Sequence, residues 1–540
     1  MDKLSINTAL VSVTDKTNIA ILLKGLAALN PQLKIIASGG TSSHLTKEGI
    51  SHTFLKDFTG FPECFSGRVK TLHPKIAGGI LFRKNKDESQ AKEVGIEPID
   101  LVVCNLYDFA SATQQYTSMD QLVEHMDIGG STLIRSAVKN YASVALLTDP
   151  DDYEDFLQEV RASYGIVSIE TREKLAVKGI GISARYEALL HAEFSKRLSK
   201  HVLINPDLEN GKSLRYGENP DQKGWVFSLK DHHGIAQSKQ LSGKELSFNN
   251  YEDATVAFSC IGDLKEVVSA YGVAIVKHGS LCALATAKDL PTAFERAWQG
   301  DSKSSFGSVI AFSHEVKEDI IDHLKNRFIE LLIAPNFSPE FVCWAKEKKP
   351  LLRLLSIEGQ STPYHYKNIS GGMLVQSMPK KISQDTIAPL FQAKEERKGG
   401  VTKRRVPIEK LNLFAFGLIA VKFAKSNAVA IVREIESNSF QLLGLGAGQP
   451  NRVDCLQRLA IPKALENIET FKEDPEQVLS EAVLASDGFF PFEDSINFAS
   501  DHYIKWCVQP GGSKMDEKVI AAADANDMGM IFTGQRYFFH

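Results

Sequence analysis

The chain of 540 residues has no C-x-x-C pair, and its seven cysteines stand apart at 64, 104, 260, 282, 343, 455 and 507. That scatter suits reduced thiols better than a disulfide framework or a zinc site. Long apolar runs are missing too: none reaches the ~18 residues of a membrane span. The opening "MDKLSINTALVSV" lacks the long apolar core of a signal peptide, so a cytoplasmic protein is expected. Charge of one sign is not in excess. Lys and Arg number 62 against 66 Asp and Glu, a net −4, which gives no general attraction to nucleic acid or membrane surfaces. There is no G-x-x-x-x-G-K-[ST] phosphate loop, and "GLGAGQ" puts Gln449 where a dinucleotide fingerprint needs glycine. A zinc deaminase would need H-x-E and P-C-x-x-C. Here Gly279 and Ser280 follow His278, and Cys282 has no partner two residues on. No catalytic metal is expected.

What is present is an ordinary globular composition, 43% hydrophobic and 24% charged, in a chain too long for one core. "TALVSV", "KIIAS", "IDLVVCNLY" and "SVALLT" read as buried strands. They alternate with the helical patterns "DKTNIAILLKGLAAL", opening at Asp15, "GGTSSHLTKEG" and "PDDYEDFLQEV". Such alternation predicts an α/β domain with a parallel sheet, whose ligands sit at the carboxyl ends of the strands. The long helix "TREKLAVKGIGISARYEALLHAEFSKRLS" closes this part, and "HVLINPDLENGKS" reads as a linker, so the first domain is set at 1–203 and the second region at 204–540. In that region "GVAIVKHG" is a strand and "TAKDLPTAFERAW" a helix. Further on, "AVAIVRE" and "FQLLGLGAG" form a hairpin pattern before the helix "VDCLQRLA", and the strand "IKWCVQP" precedes the helix "DEKVIAAADAND". Two related α/β units in tandem are expected, divided near the charged stretch at 390–405.

Three turns of the first part carry chemistry. "SVTDKT" (12–17) and "SGGT" (38–41) join strands to helices, where exposed N–H groups and the helix dipole favour a phosphate. Ser, Thr and Asp are also ordinary caps, so neither turn is specific alone. "GRVKTLHP" (67–74) adds Arg68, Lys70 and His73 to one polar turn. In "MDIGGSTLIRSAVKN", Asp127 stands before a glycine pair at a helix start, and Lys139 follows twelve residues later. An anionic, nucleotide-like ligand is expected. In "AIVKHGSLCALA" (274–285), Lys277 and His278 end an apolar run. That pair alone fits a catalytic device or a strand meeting water.

These motifs, with "TGFPE", "CNLY", "LRYGENP", "GKELSFNN", "SSFGSVIAF", "GGMLVQ", "KSNAV", "GAGQ", "DGFFPFEDS", "QPGGS" and "TGQRYFFH", resemble in order the AICAR transformylase/IMP cyclohydrolase family. The resemblance implies a methylglyoxal-synthase-like N-terminal domain and a C-terminal region of duplicated cytidine-deaminase-like units without zinc. It implies formyl transfer from 10-formyltetrahydrofolate, as co-substrate, to AICAR, then closure of formyl-AICAR to IMP. It also implies a homodimer with transformylase sites at the subunit interface. By motif position Lys70, Tyr107, Asp127 and Lys139 match the cyclohydrolase group, and Ser12, Lys16, Ser38, Gly39, Gly40, Thr41, Arg68 and Thr71 match nucleotide contacts. Lys277, His278 and Asn427 match the formyl-transfer group. Arg215, Tyr216, Asn250, Phe306, Gly307, Glu330, Phe489, Asp494, Arg536 and Phe538 match substrate and folate contacts.

The chain departs from the family around His278, where K-H-x-N-P-C-G becomes Lys277-His278-Gly279-Ser280-Leu281-Cys282-Ala283. Proline would fix its own φ and bias its predecessor, so a less restrained loop and a weakened transfer are expected, raised by Ser280→Asn with Leu281→Pro. The alternatives are a monofunctional cyclohydrolase whose C-terminal region serves as a dimer scaffold, and a nucleotide sensor without turnover.

Overall fold

The computed structural model describes residues 3–200, 204, 206, 208–229, 232–359, 364–392, 394–395 and 398–540, with the side chains of 66, 209, 210, 392, 394, 395 and 398 left aside. The chain divides into two compact units, Met1–Asp207 and Leu208–His540. The expected boundary at 203 lies outside the described residues.

In the first unit five strands lie in the order Thr53–Phe54, Lys34–Ala37, Thr8–Ser12, Leu101–Cys104 and Ala145–Leu147. Every pairing is parallel. Side chains alternate across the sheet. Ala9, Val11, Ile35, Leu101 and Val103 pack with the helices Ile19–Leu29 and Tyr153–Ala162. Leu10, Ile36, Val102 and Cys104 face Pro74–Leu81 and Gly129–Lys139. Ser12 is in register with Cys104, and Val11 with Ala37, so the three strands end along one edge. The first helix begins at Ile19 instead of Asp15. Thr14 and Asp15 donate their N–H groups to the Asn105 side chain at 2.6 and 3.0 Å, which holds 14–17 as a turn.

The second unit carries a thirteen-stranded sheet. From its middle, where Ser280–Ala287 meets Ser439–Gly446 through Ala285 and Gln441, the two halves repeat one pattern. One half runs outward through Tyr271–Lys277, Val309–Phe312, Leu331–Ala334, Arg353–Ser356 and Lys239–Ser242. The other runs through Val429–Glu436, Val483–Ser486, Trp506–Gln509, Gly529–Phe532 and Lys398–Gly400. Each half is a hairpin, an antiparallel strand, two parallel strands and a further antiparallel strand, and Lys394–Glu395 adds a thirteenth at the edge of the second half. Phe248–Leu264 and Leu411–Lys422, the helix before each hairpin, share one apolar core. Within it Lys422 Nζ and Asp263 Oδ2 pair at 2.6 Å, at 8% and 5% side-chain exposure.

Three expectations are corrected. "SLCALATA" is a strand pairing back on Tyr271–Lys277, so His278 and Gly279 form a two-residue hairpin turn and 280–283 is not a loop. Residues 208–213 of the expected linker pair with Trp225–Leu229. Lys398–Gly400, within the expected connection, is a strand on Gly529–Phe532, and Lys394–Glu395 pairs outside it as the edge, while residues 393, 396 and 397 lie outside the described ones. Among the described residues no helix is long and apolar enough to cross a membrane.

Candidate active site

The first unit gathers a polar group at the carboxyl ends of its strands. Ser12 and Ser38 hydroxyls are 2.9 Å apart. Thr41 Oγ1 accepts from Val13 N at 3.0 Å and donates to Val13 O at 3.1 Å, which ties the two turns together. Gly39 and Gly40 open the helix Gly39–Lys47, whose N-cap Ser38 makes no side-chain cap bond. The "SVTDKT" turn is less free than expected, because Asn105 already takes two of its N–H groups. Lys16 Nζ donates to Thr14 O at 3.1 Å.

Asp127, 9% exposed, accepts from Gly130 N at 2.7 Å, while its own N–H donates to Tyr186 Oη at 2.7 Å. Tyr107 N–H also serves the Asp127 carboxylate, and Lys70 lies within its field. Burial raises the Asp127 pKa, against the pull of those N–H groups and Lys70. Burial, then the Asp127 charge, raises that of Tyr107. The glycine pair is a packing requirement: a Cβ on Gly130 would come 2.5 Å from Asp127 Oδ2 and 2.8 Å from Leu106, and one on Gly129 would strike the Thr71 hydroxyl. Thr71, Asp127, Tyr107 and Lys70 are thus together. Lys139 is not with them in the single chain. It ends the helix Gly129–Lys139 on an exposed face, about 15 Å along the axis from Gly129 at ~1.5 Å per residue. Arg68 is ion-paired with Glu124 at the surface, so binding phosphate there means exchanging one anion for another. Sequence reasoning missed Glu63, which lies 3.2 Å from a Gly39 Cβ position and in the field of Tyr107. It also missed Ser131, whose buried hydroxyl has no partner among the described residues.

In the second unit His278 and Gly279 both have positive φ, 58° and 65°, as a type I′ hairpin turn demands. Lys277 Nζ donates to Phe306 O at 2.6 Å. Phe306 lies tilted against Phe328 at 5.2 Å between centroids, and Gly307, at φ 69°, donates to Phe328 O at 2.8 Å. Glu330 N donates to Ser308 O at 3.0 Å, and its carboxylate pairs with Arg353 at 2.9 Å. Leu281 N donates to Phe423 O at 2.9 Å, and Lys425 N donates to Ser280 Oγ at 3.2 Å. Those two bonds bring the His278 turn beside the segment that carries Asn427.

Asn427 Nδ2 donates to Gln449 O at 2.8 Å. Its neighbour Ser426 bonds the fully buried Asp487 carboxylate, which Arg452 also holds at 2.9 Å. Tyr537 N donates to Asp487 O and Ser426 N to Phe539 O, both near 2.8–2.9 Å, so the C-terminal tail joins this site. There Arg536 lies over Phe489 and Phe538 at 5.1 and 5.7 Å. Asp494 opens a helix and accepts from Ser495 N at 2.7 Å. Asn250 spends its amide oxygen on a capping box with Ser247, at 3.1 Å. Arg215 is exposed over the Tyr216 ring at 5.6 Å. Asp253, Lys425 and Asp487 were missed, since acidic and basic residues on helices and strand ends carry no local signal. Among the described residues no group of three or more His, Cys, Asp or Glu could hold a metal.

Comparison with known proteins places the whole chain. Residues 18–132 match the MGS-like domain, and residues 137–463 match the AICARFT/IMPCHase bienzyme. The chain is 37% identical to the bifunctional purine biosynthesis protein PurH of Lactobacillus delbrueckii subsp. bulgaricus, over 98% of this chain and 99% of that protein. It is 38% identical to the proteins of the same name from Elusimicrobium minutum, over 99% of both, and Aquifex aeolicus, over 98% of this chain and all of that one. With nearly the whole length shared, the chain belongs to the AICARFT/IMPCHase bienzyme family.

Proposed function

We propose that the first unit closes formyl-AICAR to IMP and that the second transfers the formyl group to AICAR from 10-formyltetrahydrofolate. In the closure, the amide nitrogen bonds to the formyl carbon and the carbonyl oxygen gathers negative charge. Lys70 and the N–H groups at the start of the helix after Asp127 face that oxygen, a stabilisation that acts chiefly in the transition state. The tetrahedral species then loses its oxygen as water once protonated. Asp127, its pKa raised by burial, takes and returns protons more readily than an ordinary carboxylate. Tyr107 lines the same site, and Lys139 is the remaining matched group. Ser12, Lys16, Ser38–Thr41, Arg68 and Thr71 hold the nucleotide.

In the transfer, the AICAR amine attacks the formyl carbon. The amine loses a proton to His278, and the departing folate nitrogen receives one in return. An imidazole can take a proton on one ring nitrogen and return it, which suits both directions. Lys277 and Asn427 face the developing negative charge. The aromatic and arginine cluster of Phe489, Arg536 and Phe538 supplies flat, cationic surfaces for a pteridine ring or a nucleotide. Substrate contacts at Arg215, Tyr216, Asn250, Phe306, Gly307, Glu330 and Asp494 complete the reading. No metal takes part. The enzyme works in the cytoplasm as a homodimer with transfer sites between subunits.

The observation that supports the two-site reading best is the pair of bonds that seats the His278 turn beside Asn427. A scaffold without turnover has no need of that arrangement. The test is separate assay of the two half-reactions on the purified chain. Closure of supplied formyl-AICAR without any transfer at saturating folate and AICAR would leave only the cyclohydrolase.

A further inference from the structure

The His278 backbone is held in a conformation that L-residues avoid, at φ 58°. Such a residue persists only where its surroundings over-determine it. Part of the determination is Gly279, free to take φ 65°. The rest comes from outside the hairpin. Asp253 Oδ1 accepts from Gly279 N at 2.5 Å, and the His278 N–H bonds the same carboxylate.

Asp253 stands in the second turn of the helix Phe248–Leu264, beyond the reach of that helix's own free N–H groups. Its carboxylate therefore serves a turn about 26 residues away. Burial works against its charge, while the turn N–H groups, then His278 and Lys425, favour it. The matching hairpin of the other half shows the contrast. Its turn residue Asn438, at φ 57°, gives its N–H to Glu434 of the same strand at 2.8 Å. The Asn438 N–H is thus satisfied within its own hairpin, and the helix Leu411–Lys422 reaches only its side chain, Asn412 Nδ2 donating to Asn438 Oδ1 at 2.8 Å, whereas the backbone N–H groups of the His278 turn go to a neighbouring helix.

We propose that Asp253 is a positioning residue for formyl transfer, fixing the His278 turn by accepting both of its backbone N–H groups. This rests on the reading of His278 as the proton-transfer residue. The tether supplies what the family's proline would otherwise give: a fixed place for the imidazole relative to Asn427 and the bound amine. Without it the turn relaxes, and misplacement of ~1 Å costs about 10²-fold in rate. Substrate binding depends on other groups and changes little.

The test is steady-state formyl transfer by the full chain in the variants His278→Ala, Asp253→Ala and Asp253→Asn. Asp253→Ala is expected to lower kcat about 10²-fold while KM for AICAR stays near that of the wild type. Asp253→Asn keeps an oxygen acceptor for the same N–H groups and is expected to retain kcat within about tenfold. A wild-type kcat in Asp253→Ala overturns the proposal. So does a loss in Asp253→Asn as large as in Asp253→Ala, because charge and not the tether would then matter. Should Asp253→Ala fail to fold, Asp253→Asn decides alone, and a loss beyond about tenfold overturns the positioning role. Undiminished transfer in His278→Ala would instead sink the reading of His278 on which the proposal stands.

Discussion

Leu281 donates its backbone N–H to the Phe423 carbonyl at 2.9 Å, at the position where the related motif carries a proline without an N–H. The strand after His278 is therefore fixed by a hydrogen bond in place of a covalent ring. Leu281 is 2% exposed, so Leu281→Pro would strand a buried carbonyl at a cost of about 1–3 kcal/mol. The sequence alone predicts a faster enzyme from Ser280→Asn with Leu281→Pro; the structure predicts a slower and less stable one. Formyl-transfer kcat and the melting temperature of that double variant check this, and a rise in both would refute it.

Lys70 is half-buried, within the field of Asp127. Lys70→Ala is expected to reduce closure of formyl-AICAR by roughly 10²–10³-fold, as loss of an oxyanion donor does. Formyl transfer in the same preparation should be unchanged. Near-normal closure would remove Lys70 from the mechanism.

Asp127 should leave a signature in stability as well as rate. Burial holds its folded pKa above the unfolded value, so the folded chain binds that proton more tightly. The corresponding stability is complete below about pH 3.9 and is lost as pH rises through the folded pKa. Asp127→Asn has no such loss. Its melting temperature relative to wild type should therefore climb with pH across the carboxylate range and then level off, while closure activity falls. Parallel melting curves at every pH would contradict this.

The Lys422–Asp263 pair is buried on both sides. Lys422→Met leaves Asp263 charged without its partner and should cost about 3–5 kcal/mol, whereas adding Asp263→Leu should recover most of it. Urea unfolding of the single and double variants distinguishes this from an additive effect.

A fragment of residues 1–207 is expected to fold and to close formyl-AICAR without transferring formyl groups. The first unit has its own sheet and apolar clusters. Insolubility, or a folded fragment without closure, would count against that independence.

The parallel strands of the first unit were legible because "TALVS", "KIIA" and "LVVC" are continuous apolar runs bounded by polar turns. "SLCALATA" was not. Its small and hydroxylated residues are weakly hydrophobic as a string, and most of them are buried in a sheet that a second hairpin continues at Ala285. Asp15 misled for the opposite reason: it looks like a helix cap, yet the Asn105 side chain, about 90 residues away, captures the backbone around it. The proposed site residues rest on ordered motifs. The residues that hold them in place were not, since Asp253 and Asp487 act on turns and strands distant in the chain.

The repeated halves of the second unit place the same stations on both sides of the central join, but the two sides use different ones. One half contributes the tip of its hairpin, at His278. The other contributes the residues just before its hairpin, at Ser426 and Asn427. Their counterparts, the tip at Ser437 and Asn438 and the approach at Ala270 and Tyr271, have no part in the proposed reaction. Mutational tolerance should therefore be lopsided across an otherwise symmetric sheet.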